Sequence, residues 1–77
     1  MEIPSALIHN VFGKLDEHVK KIEQAFAVTV ITRDDGVHIA PNLPSSNTQK
    51  AEKVLRHLTQ LAKKGELISE QQVNYSI

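Results

Sequence analysis

A single glycine between two apolar patterns of helical spacing most constrains the fold of this 77-residue chain. Gly13 can take a positive φ without a steric penalty, so it can end one helix and turn the chain into the next. Ser5 can cap the first helix, and a strand over residues 6–12 is the alternative. After the glycine, four apolar residues recur at helical spacing: Leu15, Val19, Ile22 and Phe26. They predict an amphipathic helix over residues 17–27.

A β-hairpin is predicted to follow the second helix. Residues 28–33 form a β-branched run, the dipeptide Asp35-Gly36 is a strong two-residue turn signal, and residues 37–40 suit the returning strand. This turn would place Arg33 opposite His38. Alternation along the two strands then predicts four residues on the buried face: Val28, Val30, Val37 and Ile39.

The segment after the hairpin predicts a long helix. Ser46 and Gln49 have the spacing of a capping box at its start, and Gly65 is placed to end it after Lys64. Six residues make a wide apolar stripe along it: Ala51, Val54, Leu55, Leu58, Leu61 and Ala62. The opposite face is basic, with four residues in register: Lys53, His57, Gln60 and Lys64. A solvated helix face and a phosphate-contacting stripe are both consistent with that pattern.

A second capping box predicts one more helix. Ser69 and Gln72 have the required spacing, and the helix would run to about Tyr75. The chain is therefore predicted to be one small α+β domain, residues 1–77, in which a hairpin sheet packs on helices. The order of elements is helix, helix, strand, strand, helix and short helix, with room for a short extra strand at Glu2 and Ile3.

Composition excludes several classes of function. The chain has no cysteine, which excludes disulfides and cysteine-based zinc sites. Its four histidines lie on separate predicted elements without metal-ligand spacing, and we interpret them as surface residues. There is no nucleotide-binding phosphate loop, so we expect neither an enzyme nor a cofactor. Nine basic and nine acidic side chains balance, and no apolar run approaches the length of a membrane span. We expect a cytoplasmic protein without membrane contact.

The residues around the glycine turn resemble the motif of the K-homology (KH) domain, an aliphatic residue followed by Gly-x-x-Gly-x-x-Ile-Lys-x-Ile. Five residues occupy matching positions: Phe12, Gly13, Val19, Lys20 and Ile22. The resemblance implies a loop in which backbone amides face the phosphates of RNA. Asp16 stands at the second glycine, where a carboxylate would repel phosphate. From the residues alone we interpret Asp16 as the N-cap of the following helix.

Nearly the whole chain is similar to the N-terminal domain of PhoH-like proteins. In that family a segment of the type Phe-Gly-x-x-Asp-Glu-x-x-Lys-x-Ile-Glu leads into a hairpin, and Asp at the second glycine position is usual. The family closes the domain with Ala-Glu-x-Val-Leu-x-x-Leu, a Gly, and Leu-x-x-x-x-Val-x-x-x-Ile. Nine residues follow that pattern, with the second leucine motif starting one position early: Ala51, Glu52, Val54, Leu55, Leu58, Gly65, Leu67, Val73 and Ile77.

The resemblance implies a KH-like module that precedes a P-loop ATPase domain, in a protein linked to phosphate starvation and RNA metabolism. We therefore expect this chain to be a domain excised from a longer protein, with the ATPase domain as its partner in cis. Single-stranded RNA is the expected ligand, bound weakly. The chain departs from the family pattern at Asp34 and Asp35 and in the proline-rich loop of residues 41–47.

The residues expected to contact nucleic acid are those around the turn and at the end of the first strand: Gly13, Lys14, Lys20, Lys21 and Arg33. No catalytic or metal-binding residue is expected. The alternative function is a protein-interaction module that assembles or regulates the ATPase through the hairpin edge or the outer face of the third helix. RNA sequence preference and oligomeric state stay open.

Overall fold

A computed structural model describes all 77 residues as four helices and one antiparallel hairpin. The helices are α1 (Ser5–Phe12), α2 (Glu17–Phe26), α3 (Thr48–Lys63) and α4 (Glu70–Ser76). A 3-10 turn, Lys14–Asp16, joins α1 to α2, and the strands are β1 (Val28–Arg33) and β2 (Gly36–Pro41). The predicted α+β class and order of elements are confirmed. The alternative of a strand over residues 6–12 is wrong.

The core lies where α3 meets α1, α2 and β2. Leu55 and Leu58 of α3 are fully buried, and Ile22 of α2 and Val28 of β1 are buried with them. Fourteen apolar residues form this single cluster, as expected for a chain too short to build a second core. The wide stripe of α3 thus holds the sheet and the two earlier helices together.

The hairpin has the predicted buried face but a different turn. Arg33 pairs with Gly36 and Thr32 with Val37, so the two-residue loop is Asp34-Asp35 rather than Asp35-Gly36. Arg33 therefore lies opposite a residue two positions earlier than the predicted His38. A shift of two residues leaves each side chain on its predicted face of the sheet, because side chains alternate with a period of two. Val28 and Val37 are therefore buried as predicted, whereas Val30 and Ile39 are only half-buried against the core.

The N-terminal residue, not a strand at Glu2 and Ile3, lies beside β2. Met1 donates its terminal N–H to the Val37 carbonyl at 2.8 Å and accepts from the Val37 N–H at 2.6 Å. The sheet has only two strands, so the expected extra strand is not formed. A Cβ at Gly36 would lie 2.5 Å from the Met1 carbonyl oxygen, so only glycine admits this approach.

The helix caps confirm one of the two predicted capping boxes. Ser69 and Gln72 exchange both bonds at the start of α4. At α3 the cap is Asn47, whose side chain accepts from the Lys50 N–H at 3.0 Å. Ser46 instead donates to the Ala27 carbonyl and accepts from backbone amides of its own loop, so its predicted box is wrong. Ser5 makes no capping bond either, and α1 begins after Pro4.

Candidate nucleic-acid interface

The turn between α1 and α2 has an unusual backbone. Gly13 has φ 82°, and two residues with side chains, Leu15 and Asp16, also have positive φ values of 55° and 58°. Asp16 precedes α2, but its carboxylate makes no capping hydrogen bond. Asp16 thus occupies the predicted N-cap position but does not cap α2 with its side chain, because a left-handed backbone replaces the extended conformation in which an N-cap side chain reaches the first turn.

Glycine is required at this turn because a histidine ring fills the space beside it. A Cβ at Gly13 would lie 2.7 Å from Cγ of His18. The His18 side chain is buried, with its residue only 2% exposed, and its Nδ1 lies 3.1 Å from the Val11 carbonyl oxygen. The prediction that all four histidines lie at the surface is wrong for His18. Its ring satisfies a carbonyl at the end of α1 and locks the two helices at the turn.

Backbone hydrogen bonds hold the turn together. The Gly13 N–H donates to the His9 carbonyl and the Asp16 N–H donates to the Gly13 carbonyl. Lys14 and Leu15, between these two donors, are exposed residues. A short turn with positive φ values that leads into a helix is the kind of backbone concavity that binds anions.

The structure does not bring the predicted cations into one cluster. Lys14 borders a depression with Gly13 and His18, and Lys20 borders another beside β1. Arg33 lies at the hairpin end, beside residues that begin α1. Lys21 points to α4, where its Nζ lies 3.0 Å from the Glu70 carboxylate and donates to Asn74 at 3.2 Å. Lys21 therefore attaches α4 to α2.

The depression beside Lys20 runs along the open edge of β1 and has a volume of about 270 Å³. Glu23 is the acidic residue that lines this depression, and its carboxylate accepts a hydrogen bond from the Val30 N–H at 2.9 Å. That amide is on the edge of β1 that β2 leaves unpaired, so Glu23 protects an edge that could otherwise pair with another strand. A nucleic acid in this depression would meet a carboxylate next to Lys20.

A larger depression, the α3–α4 pocket, was not foreseen from the sequence. Its volume is about 440 Å³. Lys50, Lys53 and His57 of α3 line one side, and Phe26 and Tyr75 contribute aromatic rings. The basic face of α3 was visible in the sequence, but the position of Tyr75 depends on how α4 packs against α3. No local pattern predicts that packing.

Other ionisable groups form isolated pairs. His38 Nε2 lies 2.8 Å from Asp35 Oδ1, and this hydrogen bond, together with the charge of His38, lowers the pKa of Asp35. Arg56 pairs with Glu52 one turn away on α3. The structure gathers no group of three or more histidine or carboxylate side chains that could hold a metal ion. No helix is both long enough and apolar enough to span a membrane.

Comparison with protein-family models, curated proteins and solved structures finds no significant match to this chain.

Proposed function

We propose that this domain is a noncatalytic RNA-binding module whose glycine turn holds a backbone phosphate of a single strand. The observation that carries the proposal is the turn of residues 13–16, which has three positive φ values and an exposed Lys14. The turn is followed by the N-terminus of α2, which carries positive partial charge. The Lys14 ammonium, on the same turn, has no carboxylate partner.

Lys20 and Arg33 would extend the contact beyond the turn. Lys20 is exposed about one turn into α2, and Arg33 is exposed at the end of β1. Lys21 would contribute least, because it already pairs with Glu70. Asp16 and Glu23 place carboxylates beside this path, so binding is expected to be weak and sensitive to salt.

The arrangement of two helices around a glycine turn, a hairpin and a third helix supports a KH-like module. On the same proposal, the module belongs to a cytoplasmic PhoH-like protein and positions RNA for a P-loop ATPase domain in cis. The order of elements and the turn support this assignment.

The test is an NMR titration of the domain with a short single-stranded RNA at low salt. The amide resonances of Lys14 and Leu15 should move first, because both residues lie in the proposed phosphate-binding turn. The apparent affinity should fall with salt, with a slope of about −0.7 per phosphate neutralised. Absence of shifts at near-millimolar protein would overturn the proposal.

Two variants with opposite expected effects sharpen this test. Lys14→Gln should weaken RNA binding, and Asp16→Asn should strengthen it, each by about fivefold, since a charge within a few ångströms of phosphate is worth about 1 kcal/mol in water. Asparagine keeps the shape of Asp16 and tolerates its left-handed backbone. Lys63→Gln, an equal charge change near the end of α3, is the matched control and should have a smaller effect than Lys14→Gln.

The second candidate function is a protein-interaction module. Two leucines near the turn are unusually exposed: Leu15 is 81% exposed, and Leu67, which borders the depression next to Gly13, is 86% exposed. Exposed leucines of this kind favour a protein partner over RNA, which requires donors and cations. Leu15→Ser with Leu67→Ser should leave RNA binding intact and abolish association with the ATPase domain if this candidate is right.

A further inference from the structure

The α3–α4 pocket concentrates positive charge without acidic partners. Lys50, Lys53 and His57 are spaced at i, i+3 and i+7, which places them on one face of α3. Neither lysine lies within ion-pair distance of a carboxylate, and none of the side chains that line the pocket is acidic, although the last residue, Ile77, also borders it. Like charges at this spacing repel each other. An anion between the two ammonium groups would remove that repulsion.

Aromatic and apolar groups face the same space. Tyr75 is 90% exposed, the highest exposure among the large apolar residues, although it lies beside a cavity. Two further apolar residues line the pocket: Phe26, which is half-buried, and Val54 of α3, which is buried. A tyrosine ring left open in this way offers a face on which a planar ring can stack. The pocket thus combines cations for an anion with a flat apolar surface.

We propose that the α3–α4 pocket binds a nucleoside monophosphate, with the phosphate between Lys50 and Lys53 and the base against Tyr75. A simple anion such as a carboxylate would use the lysines and leave the aromatic side unused, whereas a nucleotide uses both. The volume of about 440 Å³ is within the range of small-molecule sites. The site shares no residue with the glycine turn, so it is independent of the RNA site proposed above.

The test is calorimetric and NMR titration of the whole chain with adenosine monophosphate, adenosine and inorganic phosphate. Adenosine monophosphate should bind at least tenfold more tightly than either of the other two probes, because only it engages both halves of the pocket. The resonances of Lys53 and Tyr75 should shift while those of Lys14 and Leu15 do not. Shifts confined to the turn amides would overturn the proposal and leave the RNA site standing.

Variants separate the two halves of the pocket. The double variant Lys50→Gln with Lys53→Gln should weaken adenosine monophosphate binding at least tenfold, because each charge-assisted bond to phosphate is lost. Tyr75→Leu should weaken it about fivefold without changing the affinity for inorganic phosphate, since only stacking is removed. Lys63→Gln, an exposed lysine outside the pocket, should change neither.

A further pair of probes distinguishes a free nucleotide from the end of a strand. An RNA hexamer with a 5′-phosphate should compete with adenosine monophosphate if the pocket takes strand ends, and the same hexamer without the phosphate should compete at least tenfold less well. Failure of both hexamers to compete identifies the ligand as a free nucleotide. Equal affinity of the pocket for adenosine monophosphate and for an acidic peptide such as tetraglutamate would refute nucleotide recognition and show a nonselective anion site.

Discussion

Substitution of Gly13 by alanine should destabilise the domain through two additive effects. The added Cβ would lie 2.7 Å from Cγ and 2.8 Å from Cδ2 and Nδ1 of His18. The His18 ring is itself buried and hydrogen-bonded to the Val11 carbonyl. A backbone at φ 82° and ψ 170° is also a conformation that essentially only glycine adopts. The ring cannot move away freely, because it is packed between α1 and α2.

The magnitude follows from these two effects. The glycine-only backbone costs about 1–3 kcal/mol for another residue. Forcing an extra carbon against a packed ring costs a further 1–3 kcal/mol. We expect a loss of about 3–4 kcal/mol in the free energy of unfolding, a large part of the about 4–12 kcal/mol typical of 77 residues.

Gly65→Ala is the matched control. Gly65 has φ 88°, and a Cβ built there would meet no atom within 4 Å. This variant should lose only the backbone cost, about 1–2 kcal/mol. The effect of alanine on the unfolded chain is the same for both variants, so it cancels in the comparison.

Urea denaturation of both variants measures the difference, with linear extrapolation to water. The Gly13 variant should lose at least 1 kcal/mol more than the Gly65 variant. Adding His18→Ala to Gly13→Ala should remove the excess, and the coupling energy of the double-mutant cycle reports the contact directly. Equal losses for the two glycine variants, or no coupling with His18, would refute the described packing of the turn.

Two further predictions concern α4 and the hairpin turn. Ser69→Ala should lower the free energy of unfolding by about 1 kcal/mol in urea melts because it breaks the capping box, while Ser5→Ala, which removes no capping bond, should stay within about 0.5 kcal/mol of the parent. In an NMR titration the Asp35 carboxyl should have a pKa below its ordinary 3.8, and His38→Ala should raise it. Because folding lowers this pKa, ionised Asp35 stabilises the folded state above pH 3.8, and this stabilisation disappears as the pH falls through the folded-state pKa. An unchanged Asp35 titration in His38→Ala would contradict the pairing.

Local patterns in the sequence determined the elements and their buried faces. The apolar stripe predicted the helix α3 and its buried face, Gly65 predicted its end within one residue, and the spacing of Ser69 and Gln72 predicted the start of α4. The alternation in β1 and β2 predicted which face of the hairpin packs on the core, although the predicted pairing of the two strands differs by two residues from the observed register. These features depend on residues within a few positions of each other, whose spacing determines which side chains share a face.

Contacts between distant residues were decided only by the tertiary structure. The bonds of Met1 to Val37 require Gly36 to admit the N-terminus, and this approach accompanies a turn at Asp34-Asp35. The pairing of Lys21 with Glu70 uses the charge of a predicted phosphate-binding residue to attach α4. The turn at Gly13 and Lys14 could be predicted because its residues are adjacent in sequence. The α3–α4 pocket could not, because its residues come from separate helices.

The physical reason is that burial and charge pairing depend on which helices and strands pack against each other. That packing depends on residues throughout the chain and not on neighbours in sequence. His18 shows the point most clearly. Its sequence neighbours suggest a polar position on an exposed helix, yet the glycine five residues earlier has no side chain and leaves a space that the ring fills. A local pattern indicates the secondary structure and the buried face of a segment. Tertiary packing determines which side chains then come into contact.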